Sequence, residues 1–249
     1  MIFNGLPLKE NFLETIWYLL NTYSSFFLYG IFITLLLSVV GTIGGFVLSL
    51  VFTVIRTQQV DQKRDAFVIK HWKKIGTIFV NIYVTLFRGT PMIVQAMIFY
   101  YGIAPLRWIW WTPLTAGLVV VTLNTTAYIT EVIRSGINGI DKGQMEAARS
   151  LGFSYQQSMF KVVLPQAIRN SMPAIGNEFI VNLKDTAVLS VIGVFELFKA
   201  TQSATSANFR RVEGFVIAAV IYLILTFVTA QIVNQLEKKP EEKRVVSRV

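Results

Sequence analysis

The sequence has no cysteine and a single histidine, His71, among its 249 residues. Disulfides, thiolate nucleophiles and cysteine-held metals are excluded, and one imidazole cannot make a histidine-rich metal site. Charge is also scarce. Only 15% of residues are Asp, Glu, Lys or Arg, where an ordinary soluble domain carries about 25%. No stretch places two glycines with four residues between them directly before Lys and Ser or Thr, so ATP chemistry on a phosphate-cradling loop is absent. The N-terminus has no basic residue before Lys9, and Glu10 and Glu14 follow it. A cleavable export signal would need an early basic residue and then an apolar run.

What remains is apolar. Hydrophobic residues make up 53% of the chain and the mean hydropathy is +0.54, so a membrane protein is the expectation. The formal charge of +9 then reports Lys and Arg held on one membrane face. A nucleic-acid site would need basic residues clustered on one fold, and these are spread through the loops.

Residues 8–23 place Phe12, Ile16, Leu19 and Tyr23 on one helical face, which predicts an interfacial helix leading into the first span. No charge falls between Glu14 and Arg56, and Phe26 to Ile55 is long enough to cross with tilt. Gly41 and Gly45 have the spacing that lets helix backbones approach, here for packing within one subunit. The second half of the polar segment 56–77 is expected along the membrane surface. A second span, about 78–104, is interrupted at Phe87-Arg88-Gly89-Thr90-Pro91, where proline kinks the helix or marks the true start. A third span fits Pro113–Ile133 and a fourth, broken by Pro165 and Pro173, about 164–194. Gly214–Val233 completes five. The expected division is an interfacial helix over 1–25, a membrane domain over 26–236 and a charged tail over 237–249.

Five spans put the termini on opposite faces. Segments 56–77, 134–161 and the tail carry six, four and five basic residues. The other face has only Lys9, Arg107, Lys199, Arg210 and Arg211. The inside-positive bias therefore sets the N-terminus outside and the C-terminus in the cytoplasm.

The cytoplasmic loop after the third span, about 141–165, has its own pattern. Asp141 and Gly143 offer a helix start, Glu146, Ala147, Ala148, Arg149 and Leu151 favour helix, and Gly152 stops it. Val162-Val163-Leu164-Pro165 follows nine residues later. This arrangement closely resembles the EAA loop of ABC importer permeases, with Val162 in place of the family's usual Ile. Phe87 to Gly102, Asn124 to Ile137 and Leu164 to Leu197 resemble the permeases of the polar amino acid uptake group. The likeness covers about Leu86 to Leu197, and the final span fits too; the N-terminal helix and 57–74 carry no recognisable motif. It implies an all-α, MetI-like permease of a bacterial inner membrane, multi-pass and embedded in lipid. By the same resemblance, two such subunits, alike or different, form the pathway and two cytoplasmic ATPases bind ATP and Mg and drive it. An extracytoplasmic binding protein delivers the amino acid, and this chain holds no cofactor. In that scheme Gly143, Glu146, Ala147, Ala148, Arg149, Leu151 and Gly152 contact the ATPase.

Charges within spans are costly and mark pathways or internal pairs. Glu178 inside the fourth span is the leading candidate for an ammonium or guanidinium contact, with Asn177 to orient it or take a polar substrate atom. Lys184 and Asp185 either meet a zwitterion or neutralise each other. Arg88 either draws in a carboxylate or anchors at the interface. Asn124, Tyr128 and Glu131 share a helical face. The first two fit a pathway or interhelical hydrogen bonds, and Glu131 fits a pairing with Arg134 or with a partner subunit. A self-contained channel or secondary transporter is the alternative. It would show an internal repeat, which is lacking, and would leave the loop at 141–165 without a role.

Overall fold

The computed structural model describes residues 11–58, 66–206 and 209–246, with side chains as far as 235. Lys9, Glu10, Lys63, Arg64 and the side chains of the tail lie outside the described residues. The described chain is helical. It runs α1 (Phe12–Thr22), α2 (Ser24–Thr57), α3 (Phe67–Gly89), α4 (Met92–Ile103), α5 (Pro113–Asn138), α6 (Lys142–Ser150), α7 (Tyr155–Ser158), α8 (Leu164–Asp185), α9 (Leu197–Ser206) and α10 (Arg211–Val246). A π-helical turn at Met159–Val163 leads into α8, and a 3-10 segment at Thr186–Ile192 follows it.

Length and composition qualify α2, α5 and the Arg211–Gln235 part of α10 as spans among the described residues. The broken pair α3 and α4 passes the same test when joined. α8 does not: Arg169, Asn170, Asn177, Glu178, Lys184 and Asp185 make it too polar. By length and composition, then, the described residues offer three candidate spans, or four with the broken pair, against the five expected from the sequence.

Two local expectations change. The second half of the surface segment and the first part of the second span, as far as Gly89, are one helix, α3, continuous from Phe67. Gly76 lies inside it, and a Cβ there would come within 2.9 Å of Ile55 Cγ2, so the glycine is a contact point with α2. Proline ends α3 instead: extended backbone at Thr90 precedes Pro91, as ring sterics require. In α8 neither proline stops the helix. Pro165 sits in its first turn, where a missing N–H costs nothing, and Pro173 is carried inside.

The Cα positions divide into two compact units: Met1–Val40, Met92–Val121 and Phe179–Ile232 form one, and Gly41–Pro91, Thr122–Glu178 and Val233–Val249 the other. The first unit has two apolar clusters. Ile33 and Leu37 of α2 meet Ala96, Val120 and the 3-10 residues Leu189 and Ile192. Leu19 of α1 meets Phe27, Leu197, Ala204 and Ile217. Lipid tails are as apolar as leucine, so close packing rather than escape from water holds such helices together. At Gly30 a Cβ would lie 2.8 Å from Ala200 Cβ and 2.9 Å from Leu197 Cα, so α2 and α9 touch backbone to backbone. In the second unit, Ile129, Ile133, Leu164 and Ile175 form the core. A Cβ on Gly45 would meet Thr125 Cβ at 2.9 Å, which places this glycine in packing within the subunit.

Five buried hydroxyls are satisfied within their own helices, while the Thr53 hydroxyl on α2 is buried without a partner among the described residues. Ser38, Thr126, Thr130, Thr201 and Thr205 each donate to the carbonyl four residues back, at 2.7 to 2.9 Å. Without water at membrane depth, that pairing lets a polar side chain sit in an apolar span.

Candidate functional site

The loop at 141–165 folds as a presented helix. Asp141 caps α6 by accepting the Gly143 N–H at 2.6 Å. At the other end Leu151 N–H donates to Ala147 O, and Gly152 turns the chain at φ +90°, a left-handed conformation that glycine takes without penalty. Ser154 and Gln157 then form a reciprocal capping box that starts α7. Met145 and Ala148 turn inward; Gly143, Glu146, Ala147, Arg149 and Gly152 are exposed, and Leu151 is 80% exposed. Ala148, at 5%, therefore differs from the rest of its group: it seats α6 on its own chain. Gln166 Nε2 donates to Gln144 Oε1 at 3.2 Å, tying α6 to α8. An outward-facing leucine on a short helix so closely fixed at both ends suits contact with another protein.

A second constellation gathers around Glu131. Arg56, at the end of α2, donates to Oε2 at 2.9 Å. Arg134 Nε donates to Oε1 at 2.8 Å from one turn along α5, and its Nη2 also contacts that oxygen. Arg88, in the last turn of α3, brings Nη1 to 3.9 Å of Oε1 and lays its guanidinium 5.5 Å from the centre of the Tyr128 ring. The structure thus joins Arg88, Tyr128 and Glu131. It adds Arg56, which sequence reasoning had counted only as a loop charge. Asn124 Nδ2 donates to Phe87 O at 3.5 Å, and Tyr83 donates to Leu123 O at 2.6 Å, so both tie α3 to α5.

The other candidates lie on α8. Asn177 is exposed and Glu178 half-buried, while Lys184 and Asp185 are exposed in the last turn. The chain changes to 3-10 geometry at Thr186, directly after Asp185. Lys184 and Asp185 fall in the first unit, and Glu178 closes a segment of the second.

Glu196 was not anticipated. Its side chain is fully buried, capping α9. Phe198 N–H donates to Oε2 and Lys199 N–H to Oε1, each at 2.8 Å, and the Tyr222 hydroxyl donates to Oε2 at 2.9 Å. Beside it Leu197 N–H donates to Thr34 Oγ1 at 3.2 Å. Burial pushes this carboxyl up to about 7, against the pull of the two N–H groups, the Tyr222 hydroxyl and the Lys199 charge. The available signal was an acid between Phe195 and Leu197, where an unpaired charge would be too costly.

Residues 66–241 match the family described as binding-protein-dependent transport system inner membrane component. The arginine transport system permease protein ArtQ of Bacillus subtilis (strain 168) is 36% identical over 214 residues, 86% of this chain and 92% of that one. The glutamine transport system permease protein GlnP of Escherichia coli (strain K12) is 35% identical over 208 residues, 83% and 89% of the two chains. The crystal structure of an amino acid ABC transporter with histidines aligns with a TM-score of 0.79 and 31% identity, covering 93% of this chain and all of that one. An inward-facing MetNI methionine ABC transporter aligns at 0.68 with 18% identity, a likeness of fold.

Proposed function

Since the chain belongs to the family of binding-protein-dependent inner-membrane transport components, we propose that it is the translocation subunit of an ATP-driven importer of polar amino acids. Two permease subunits, identical or paired with a homologue, enclose the pathway. A cytoplasmic ATPase dimer binds ATP and Mg, and an extracytoplasmic binding protein supplies substrate. The five-span arrangement includes α8 as the polar fourth span, with the N-terminus outside and the C-terminus inside. Pathway-lining helices are the spans most tolerant of polar residues, which accounts for the composition of α8.

The observation that carries this reading is the exposed Leu151 at the end of α6. In the proposed mechanism α6 docks in a groove of the ATPase through Glu146, Ala147, Arg149, Leu151 and Gly152, while Ala148 holds the helix to its own chain. Closure of the ATPase dimer moves α6 as a rigid unit and rocks the membrane helices between inward- and outward-open states. Glu178 faces the ammonium or guanidinium of the substrate, aided by Asn177. Lys184 and Asp185 meet the zwitterion further along α8. Arg88, Asn124, Tyr128 and Glu131 act mainly by holding α3 to α5 and α2 beside the pathway.

Gly152→Asp tests the coupling step, since it puts charge and a strained φ at the contact. The expected result is a permease that inserts normally but no longer co-purifies with its ATPase; normal stoichiometry would overturn the reading. Substrate-stimulated ATPase of the whole complex, run over an amino acid panel, tests the substrate class. Glu178→Gln should raise the half-saturating concentration most for cationic amino acids; equal behaviour across the panel would remove Glu178 from the pathway.

A further inference from the structure

A cavity of about 410 Å³ opens between α9 and the start of α10, lined by Lys199, Gln202, Ser203, Ser206, Arg211 and Phe215. Among the described residues neither cation has a carboxylate within ion-pair distance, and Lys199 acts on Glu196 only at longer range. The neighbouring carboxylates are already engaged: Arg210 Nη1 holds Glu213 at 3.0 Å, and backbone N–H groups and Tyr222 hold Glu196. Two cations with hydroxyls and an amide around them supply what a phosphate and its polyol substituent require.

The surroundings identify the anion's source. α10 presents Val212, Val216, Val220, Leu223, Ile224 and Phe227, each between 37% and 69% exposed, as a stripe beginning beside Arg211. In the membrane such a stripe meets acyl chains, which places the cavity at headgroup depth with Phe215 toward the apolar side. We propose that this cavity binds the headgroup of an anionic phospholipid of the outer leaflet. Lys199 and Arg211 hold the phosphate, and Gln202, Ser203 and Ser206 hydrogen-bond a hydroxylated headgroup such as glycerol. The leaflet, but not the binding, rests on the orientation proposed above.

The test uses the full-length permease in detergent, measured by native mass spectrometry and thermal unfolding with added phosphatidylglycerol, phosphatidylcholine or inorganic phosphate. Phosphatidylglycerol should be retained at least tenfold more tightly than phosphatidylcholine. Lys199→Gln with Arg211→Gln should abolish that preference, while Lys199→Arg with Arg211→Lys keeps it and shows that the fold survives. Equal retention of both lipids, or stabilisation by inorganic phosphate without a lipid preference, overturns the proposal. Because the chain has no cysteine, Ser206→Cys gives a single labelling site. Outside-only labelling in intact cells places the cavity in the outer leaflet. Inside labelling sinks the orientation while leaving lipid binding to be judged by the first assay. Blocking of the label by a binding protein, with no lipid preference, assigns the cavity to a protein partner and overturns the lipid.

Discussion

Arg56 and Glu131 are 75 positions apart in the chain and meet at 2.9 Å, joining the end of α2 to α5. The carboxylate serves Arg134 and Arg88 as well, so its loss would leave three guanidinium groups facing one another. Breaking a buried pair costs about 3–5 kcal/mol, and the partial exposure here reduces the expectation to about 1–3 kcal/mol. Glu131→Ala should therefore lower the unfolding midpoint in detergent more than Arg134→Ala, since Arg134 is 41% exposed and the carboxylate only 20%. A double-mutant cycle on Arg56 and Glu131 should show coupling above about 0.5 kcal/mol. Additive effects would mean that the cluster does not hold α2 to α5.

The raised pKa of Glu196 predicts a stability that depends on pH. Its folded-state pKa, pushed up to about 7, lies above the ordinary carboxylate value, so the folded chain keeps a proton that the unfolded chain releases. Stability from this group is full below the unfolded pKa, falls as pH rises through the interval up to about 7, and then levels off. The total is on the order of 3 kcal/mol. Glu196→Gln mimics the protonated form, so its unfolding midpoint should vary less between pH 5 and 7.5 on an order-of-magnitude view of that window. An identical pH profile in wild type and variant would exclude Glu196 as the source.

α6 was legible in the sequence because its signals are local: an aspartate cap, a run of helix formers and a glycine stop all lie within a dozen or so residues of one another. The arginine cluster was only half legible. The Glu131–Arg134 contact is one helical turn and follows from spacing, whereas Arg56 arrives from a separate helix that no periodicity connects to α5. Glu196 is the same kind of omission, since its partner Tyr222 lies on α10. The continuity of α3 across residue 77 was not legible for another reason. A change in composition near 77 reads as a boundary, but backbone hydrogen bonding continues through it while residues remain helix-compatible.

Gly45 distinguishes internal packing from a seam between subunits. A Cβ there meets Thr125 Cβ at 2.9 Å and Thr126 N at 3.1 Å, both in the same unit of the same chain. Gly45→Val should force α2 and α5 apart and cost about 1–3 kcal/mol through overpacking. The loss should appear as a lower unfolding midpoint that does not change with protein concentration. A strongly concentration-dependent midpoint would assign the glycine to subunit association instead.

Leu151 separates coupling from folding more cleanly than Gly152 does. At Gly152 φ is +90°, so any side chain there adds backbone strain of about 1–2 kcal/mol, and a lost ATPase contact could follow from a distorted loop. Leu151 has ordinary backbone geometry, φ −79°, and is 80% exposed, so replacing it disturbs little inside the chain. Leu151→Glu should leave the unfolding midpoint within about 0.5 kcal/mol of wild type. It should nevertheless reduce ATPase co-purification and substrate-stimulated hydrolysis by tenfold or more, as expected where an apolar anchor worth about 1.4 kcal/mol or more is replaced by charge. If Leu151→Glu keeps both ATPase binding and stimulation, α6 does not dock through its exposed end, and the coupling contact must be sought elsewhere on the cytoplasmic face.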